Sequence, residues 1–76
     1  MPTVRRLPAP EGSPERRTLT EHAVAMPLLV LVYNSLPDEA TPLAEYLAGH
    51  PEGDNRPRVR AIDALTALGL AAVEEE

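Results

Sequence analysis

Arg56 to Glu76, RPRVRAIDALTALGLAAVEEE, is the stretch whose reading decides the fold. Val59, Ile62, Leu65 and Leu68 recur every three residues, and Ala61, Ala64 and Ala67 flank the same stripe. That spacing predicts a helix packed along one side. Its interior is mostly Ala and Leu, both strong helix formers. Asn55 suits an N-cap, and Pro57 falls in the first turn, where no intrahelical N–H bond is lost. Gly69 is placed to end the helix with a positive φ. Leu70 to Val73 then reads as a short strand or a further helical turn, with Glu74 to Glu76 as a solvated end.

Working back along the chain, His50 to Asn55 (HPEGDN) is a turn-forming loop. Before it, Thr41 is placed to N-cap a short helix with Pro42 at its first position. Leu43, Ala44, Leu47 and Ala48 would face inward, Glu45 outward, and Gly49 would end it. Earlier still, Leu28 to Tyr33 is almost wholly apolar, so periodicity does not separate helix from strand. The order of the neighbouring elements favours helix. Its face would be Val24, Leu28, Leu31 and Val32, with Pro27 starting a segment or kinking one, and Thr18 or Thr20 as a cap. Residues 1–17 hold Pro2, Pro8, Pro10 and Pro14 and little apolar pattern, and read as a flexible Pro/Arg-rich arm. Residues 18–76 are then the folded domain.

Seventy-six residues make one domain at most, with a modest core. The chain has no cysteine, so disulfides and thiolate zinc sites are excluded. Tyr33 and Tyr46 are the only aromatic residues, too few for a single-strand stacking platform, and read as residues at the core's edge. The formal net charge is -5, against binding nucleic acid through the overall field. The positive charge is concentrated: residues 1–17 carry Arg5, Arg6, Arg16 and Arg17, and the remaining arginines are Arg56, Arg58 and Arg60. No signal peptide is evident, and Ala23 to Tyr33 is about half the length of a membrane span. A cytoplasmic location is the default expectation.

Three pieces in this order resemble the winged helix-turn-helix domains of bacterial transcription regulators. Leu28-Leu29-Val30-Leu31 followed by Pro37-Asp38 is similar to their first helix and its exit turn. Thr41 to Gly49 (TPLAEYLAG) is similar to the supporting helix, where Ala44 would allow close helix approach. Arg60 to Leu70 (RAIDALTALGL) is similar to the recognition helix and its step into the wing. The loop at His50 to Asn55 is longer than the family's turn, and the wing is nearly absent. The resemblance implies a mainly α, helix-turn-helix or winged-helix-like fold with at most a short C-terminal strand. It implies a small DNA-binding transcription regulator, with Asn55, Arg56, Arg58 and Arg60 on double-stranded DNA. The arm arginines Arg5, Arg6, Arg16 and Arg17 would add phosphate contacts.

The same arginines can instead form a solvated helix start paired with Glu52, Asp54 or Asp63. Cations at a helix N-terminus oppose the dipole preference, which favours a ligand or partner there. His22 beside Glu21 lacks a third metal ligand, and His50 reads as exposed and inert. No nucleophile set, phosphate-binding glycine loop or paired buried carboxylates occur, so neither enzyme activity nor a cofactor is expected. The acidic body also fits a second function, a protein-binding module such as an inhibitor or accessory subunit. A homodimer is expected through the apolar surface of Ala23 to Tyr33.

Overall fold

The helix expected from Arg56 onward is α4, Arg56–Ala67, in a computed structural model that describes residues 1–49 and 55–75. Ala61, Ile62 and Leu65 are buried and Val59, Ala64 and Leu68 half-buried along the expected stripe, whereas Ala67, expected on its flank, is exposed. The helix ends in a Schellman motif. Gly69 has φ 76°, its N–H donates to the Thr66 carbonyl at 3.1 Å, and the Leu70 N–H donates to the Leu65 carbonyl at 2.8 Å. Leu65 and Leu70, the residues this motif brings together, are fully buried.

The fold is a small mixed α/β domain, which corrects the mainly α expectation. Four helices make up 51% of the described residues, and a three-stranded antiparallel sheet makes up 17%. The order is β1 (Pro2–Arg6), α1 (Pro14–Ala23), α2 (Leu28–Ser35), β2 (Thr41–Pro42), α3 (Leu43–Ala48), α4 and β3 (Ala71–Glu75). In space the strands run β2-β1-β3.

The expected N-terminal arm therefore holds the central strand. β1 pairs with β3 along its whole length, from Pro2 opposite Glu75 to Arg6 opposite Ala71. On its other side Thr3 and Val4 meet Pro42 and Thr41. Val4 is fully buried, whereas Thr3 and Arg5 lie on the other face. One buried valine among polar neighbours leaves little apolar signal. The pairing that orders the segment comes from the far end of the chain.

Helix α1 starts earlier than expected. Ser13 is its N-cap, accepting from the Arg16 N–H at 3.2 Å, with Pro14 at the first position and Glu15 in the first turn. The hydroxyls of Thr18 and Thr20 donate back to the carbonyls of Pro14 and Arg16, so neither residue caps. Pro27 then starts α2 afresh, and Leu28–Ser35 is helix. Its buried residues are Leu29, Val32, Tyr33 and the following Leu36, the i, i+3, i+4, i+7 spacing of one helix face. That phase turns Leu31 outward at 61% exposed, and Val24 beyond the end of α1 is 85% exposed. Of the expected face, only Val32 is buried and Leu28 is half-buried.

Thr41 does not cap α3. Its backbone is extended to pair with Val4, and its hydroxyl donates to the Glu39 carbonyl at 3.0 Å. Tyr46 is the buried residue of α3, flanked by half-buried Leu43 and Leu47. Ala44 and Ala48, expected to face inward, are exposed. With only six residues, α3 buries one narrow face, and the largest apolar side chain takes it. Val4, Leu19, Leu29, Val32, Ile62, Leu65 and Leu70 form the fully buried centre between sheet and helices. Each such side chain contributes roughly 1.5–3 kcal/mol by its removal from water. Among the described residues no helix is long and apolar enough to cross a membrane.

Candidate functional site

The arginines at the start of α4 divide into two groups. Successive helical residues are rotated by about 100°, so Arg56 and Arg60 share one side and Arg58 falls nearly opposite Arg56. Arg56 and Arg60 are exposed, and Arg58 is half-buried. The Arg58 Nη1 donates to the Tyr46 hydroxyl at 3.0 Å and to Ser35 Oγ at 3.4 Å. Its guanidinium carbon lies 5.9 Å from the centroid of the Tyr46 ring. Ser35 Oγ and the Tyr46 hydroxyl are themselves 2.5 Å apart, and Ser35 also donates to the Val32 carbonyl at 2.8 Å. Arg58 thus ties α4 to α2 and α3, and is turned away from the exposed side.

Asn55 occupies the N-cap position of α4 without a side-chain cap bond, and its carbonyl accepts from the Val59 N–H at 2.9 Å. Pro57 follows in the first turn. Arg56, Pro57 and Arg60 line one side of an open cleft of about 370 Å³, and Met26 and Leu28 line the other. A second hollow of about 350 Å³ lies against Asn55, Arg56, Val59 and Arg60. Among the described residues Arg60 has neither a hydrogen-bond nor an ion-pair partner. The cleft therefore has an apolar floor and a cationic wall. It can hold an apolar side chain beside a carboxylate or a phosphate.

The four N-terminal arginines are also divided. Arg6 Nε donates to Asp38 Oδ1 at 3.1 Å, and the Arg6 guanidinium lies 5.6 Å from the Tyr33 ring centroid. Arg16 lies at the same distance from that ring, with Nε donating to the Ala9 carbonyl at 2.8 Å. The Tyr33 hydroxyl donates to the Leu7 carbonyl at 2.6 Å. Arg6, Arg16 and Tyr33 thus fasten the crossing from β1 to α1 onto α2. Arg5 lies on the outer face of the sheet, 3.9 Å from Glu74, and Arg17 is exposed on α1. These four do not gather into a free arm, and they stand apart from the α4 cleft.

Both tyrosines, expected at the core's edge, are buried and act as cation platforms. Their pairing with arginines was open to a reading in which seven arginines meet only two aromatic rings. Met26 and Leu28, expected in the core piece, pack against the core while half-buried, and they also line the cleft. His22 is exposed, with Nδ1 3.0 Å from the Thr18 carbonyl. Among the described residues no three His, Asp or Glu side chains cluster to hold a metal. The acids Glu52 and Asp54 and the histidine His50, named above as possible partners or bystanders, lie outside the described residues. Compared with protein-family models, curated proteins and solved structures, the chain matches none.

Proposed function

We propose that the chain is a protein-binding module without catalytic chemistry of its own, and that the cleft between Met26–Leu28 and the first turn of α4 is its recognition site. The partner segment carries an apolar anchor flanked by acidic side chains. The anchor fits between Met26, Leu28 and Pro57, and the acids meet Arg60 and Arg56. One observation carries this reading: an exposed Arg60 with no partner among the described residues stands at the wall of an apolar cleft. A guanidinium beside apolar surface favours a carboxylate-bearing protein segment, because Arg joins charge, planar hydrogen bonding and weak hydration. The net charge of -5 works against a long polyanion and leaves a short acidic segment acceptable. A chain without cysteine has no need of an oxidising compartment, which goes with a cytoplasmic setting.

The test is capture from nuclease-treated lysate on immobilised protein, run beside Arg60→Glu and Met26→Asp. A partner held by the parent chain and lost by both variants supports the site. Equal retention by both removes the cleft from the account.

Duplex DNA is the second reading, in which α4 would act as the reading helix of a transcription regulator. Arg56 and Arg60, one turn apart at a helix N-terminus, favour it. It ranks second because Arg58 is engaged with Tyr46, Arg6 and Arg16 with Tyr33, and Asp63 is exposed on α4 itself.

A further inference from the structure

β3 is the last strand of the sheet, and among the described residues no strand pairs with its outer edge. The direction of its backbone groups follows from the pairing with β1. The Leu7 N–H donates to the Leu70 carbonyl at 3.1 Å, and the same register sets Arg5 opposite Ala72 and Thr3 opposite Glu74. In an antiparallel pair every second couple exchanges both N–H···O bonds. Leu70, Ala72 and Glu74 are therefore bonded to β1. Ala71, Val73 and Glu75 direct their N–H and C=O groups to the open edge.

We infer that this edge pairs with the same edge of a second copy, antiparallel, about a two-fold axis at Val73. In that register Val73 faces Val73 of the second copy, and Ala71 faces its Glu75. All are residues with outward backbone groups, so each couple exchanges two hydrogen bonds. The side chains agree with the backbone. Glu75 meets Ala71 and Glu74 meets Ala72, so no two glutamates lie directly opposite. Slipping the register by two residues in one direction sets Glu74 against Glu74, which like-charge repulsion opposes, and in the other sets Glu75 against Gly69, outside the strand, so that two hydrogen-bonded couples remain instead of three.

Val73 shares the face of its partner Val4 and is 37% exposed, so a Val73–Val73 contact extends the apolar side of the sheet. Glu74 keeps Arg5 of its own chain, 3.9 Å away, on the opposite face. β3 contains no proline and no lysine, two devices that commonly block such edges. The product is a six-stranded antiparallel sheet, and its interface is separate from the α2–α4 cleft.

The test uses the absence of cysteine from the chain. Residues in a hydrogen-bonded antiparallel couple have Cα atoms about 5.5 Å apart, within the span of a disulfide. Val73→Cys under mild oxidation therefore gives a covalent dimer, and Glu74→Cys and Leu31→Cys stay largely monomeric. Light scattering of the parent chain gives twice the 8.2 kDa of one chain. Val73→Pro gives the single-chain mass with an unchanged circular dichroism spectrum, because the lost N–H points outward and the β1 ladder keeps every bond. A single-chain mass for the parent at near-millimolar concentration overturns the inference. So does a dimer that survives Val73→Pro, or cross-linking at position 31 or 74 equal to that at 73. If Val73→Pro fails to fold, the cysteine series decides alone.

Discussion

Arg58 stacks on Tyr46 with its guanidinium carbon 5.9 Å from the ring centroid and donates to the same residue's hydroxyl at 3.0 Å. This contact withdraws the middle arginine of the α4 start from solvent and assigns it to the joint between α2, α3 and α4. Arg58→Leu keeps the aliphatic packing and removes the charge-assisted bond. It leaves the half-buried hydroxyls of Ser35 and Tyr46 with one partner fewer. A loss of roughly 1–3 kcal/mol follows, read as a lower urea midpoint with the slope unchanged. An unchanged midpoint shows that the contact contributes nothing to stability.

Arg60→Ala has the opposite profile. The side chain is exposed and has no partner among the described residues, so stability moves by no more than about 0.5 kcal/mol. Partner capture falls while the circular dichroism spectrum and melting temperature hold. Loss of folding in this variant contradicts the division of the arginines.

Deleting Met1 to Arg6 removes the central strand and strips β2 and β3 of their only pairing partner among the described residues. The shortened chain loses the cooperative thermal transition of the parent. A flexible arm would be removed at no cost, and a truncated chain that melts like the parent sinks the three-stranded arrangement.

Gly69→Ala tests the end of α4. Nothing lies within 4 Å of an added Cβ, so the cost is conformational alone and arises from φ 76°. It is about 1 kcal/mol, possible to read by urea denaturation. Gly49→Ala is the control, since its φ is -75° and the added methyl meets only ordinary contacts. Equal midpoints for the two variants remove the Schellman motif from the stability account.

What was legible in the sequence is what is periodic or terminated locally. The three-residue spacing from Val59 to Leu68 and the stop at Gly69 gave α4 to within its ends. Asn55 and Pro57 marked its start. The sheet was not legible, because its pairing joins residues some seventy positions apart and its central strand offers one buried valine. The strand at Thr41 is hidden for a related reason: a threonine before proline suits both an N-cap and a strand, and only β1 decides between them. Ser13-Pro14-Glu15 did carry a local start signal for α1, masked by the surrounding prolines. Of the candidate site, the types and crowding of Arg56, Arg58 and Arg60 were visible. Which of them turns inward depended on Tyr46, carried by a different helix.

Recognition of a protein segment, and not of DNA, at the α2–α4 cleft is tested most directly by fluorescence anisotropy of labelled duplex DNA over a salt series. The expected result is no binding near physiological ionic strength and at most a weak, sequence-indifferent signal at low salt, since few exposed arginines face one cleft. Tight binding that weakens steeply with salt and is lost in Arg60→Glu contradicts it. A slope of about 0.9 per neutralised phosphate then counts the contacts, and α4 becomes a DNA-reading helix.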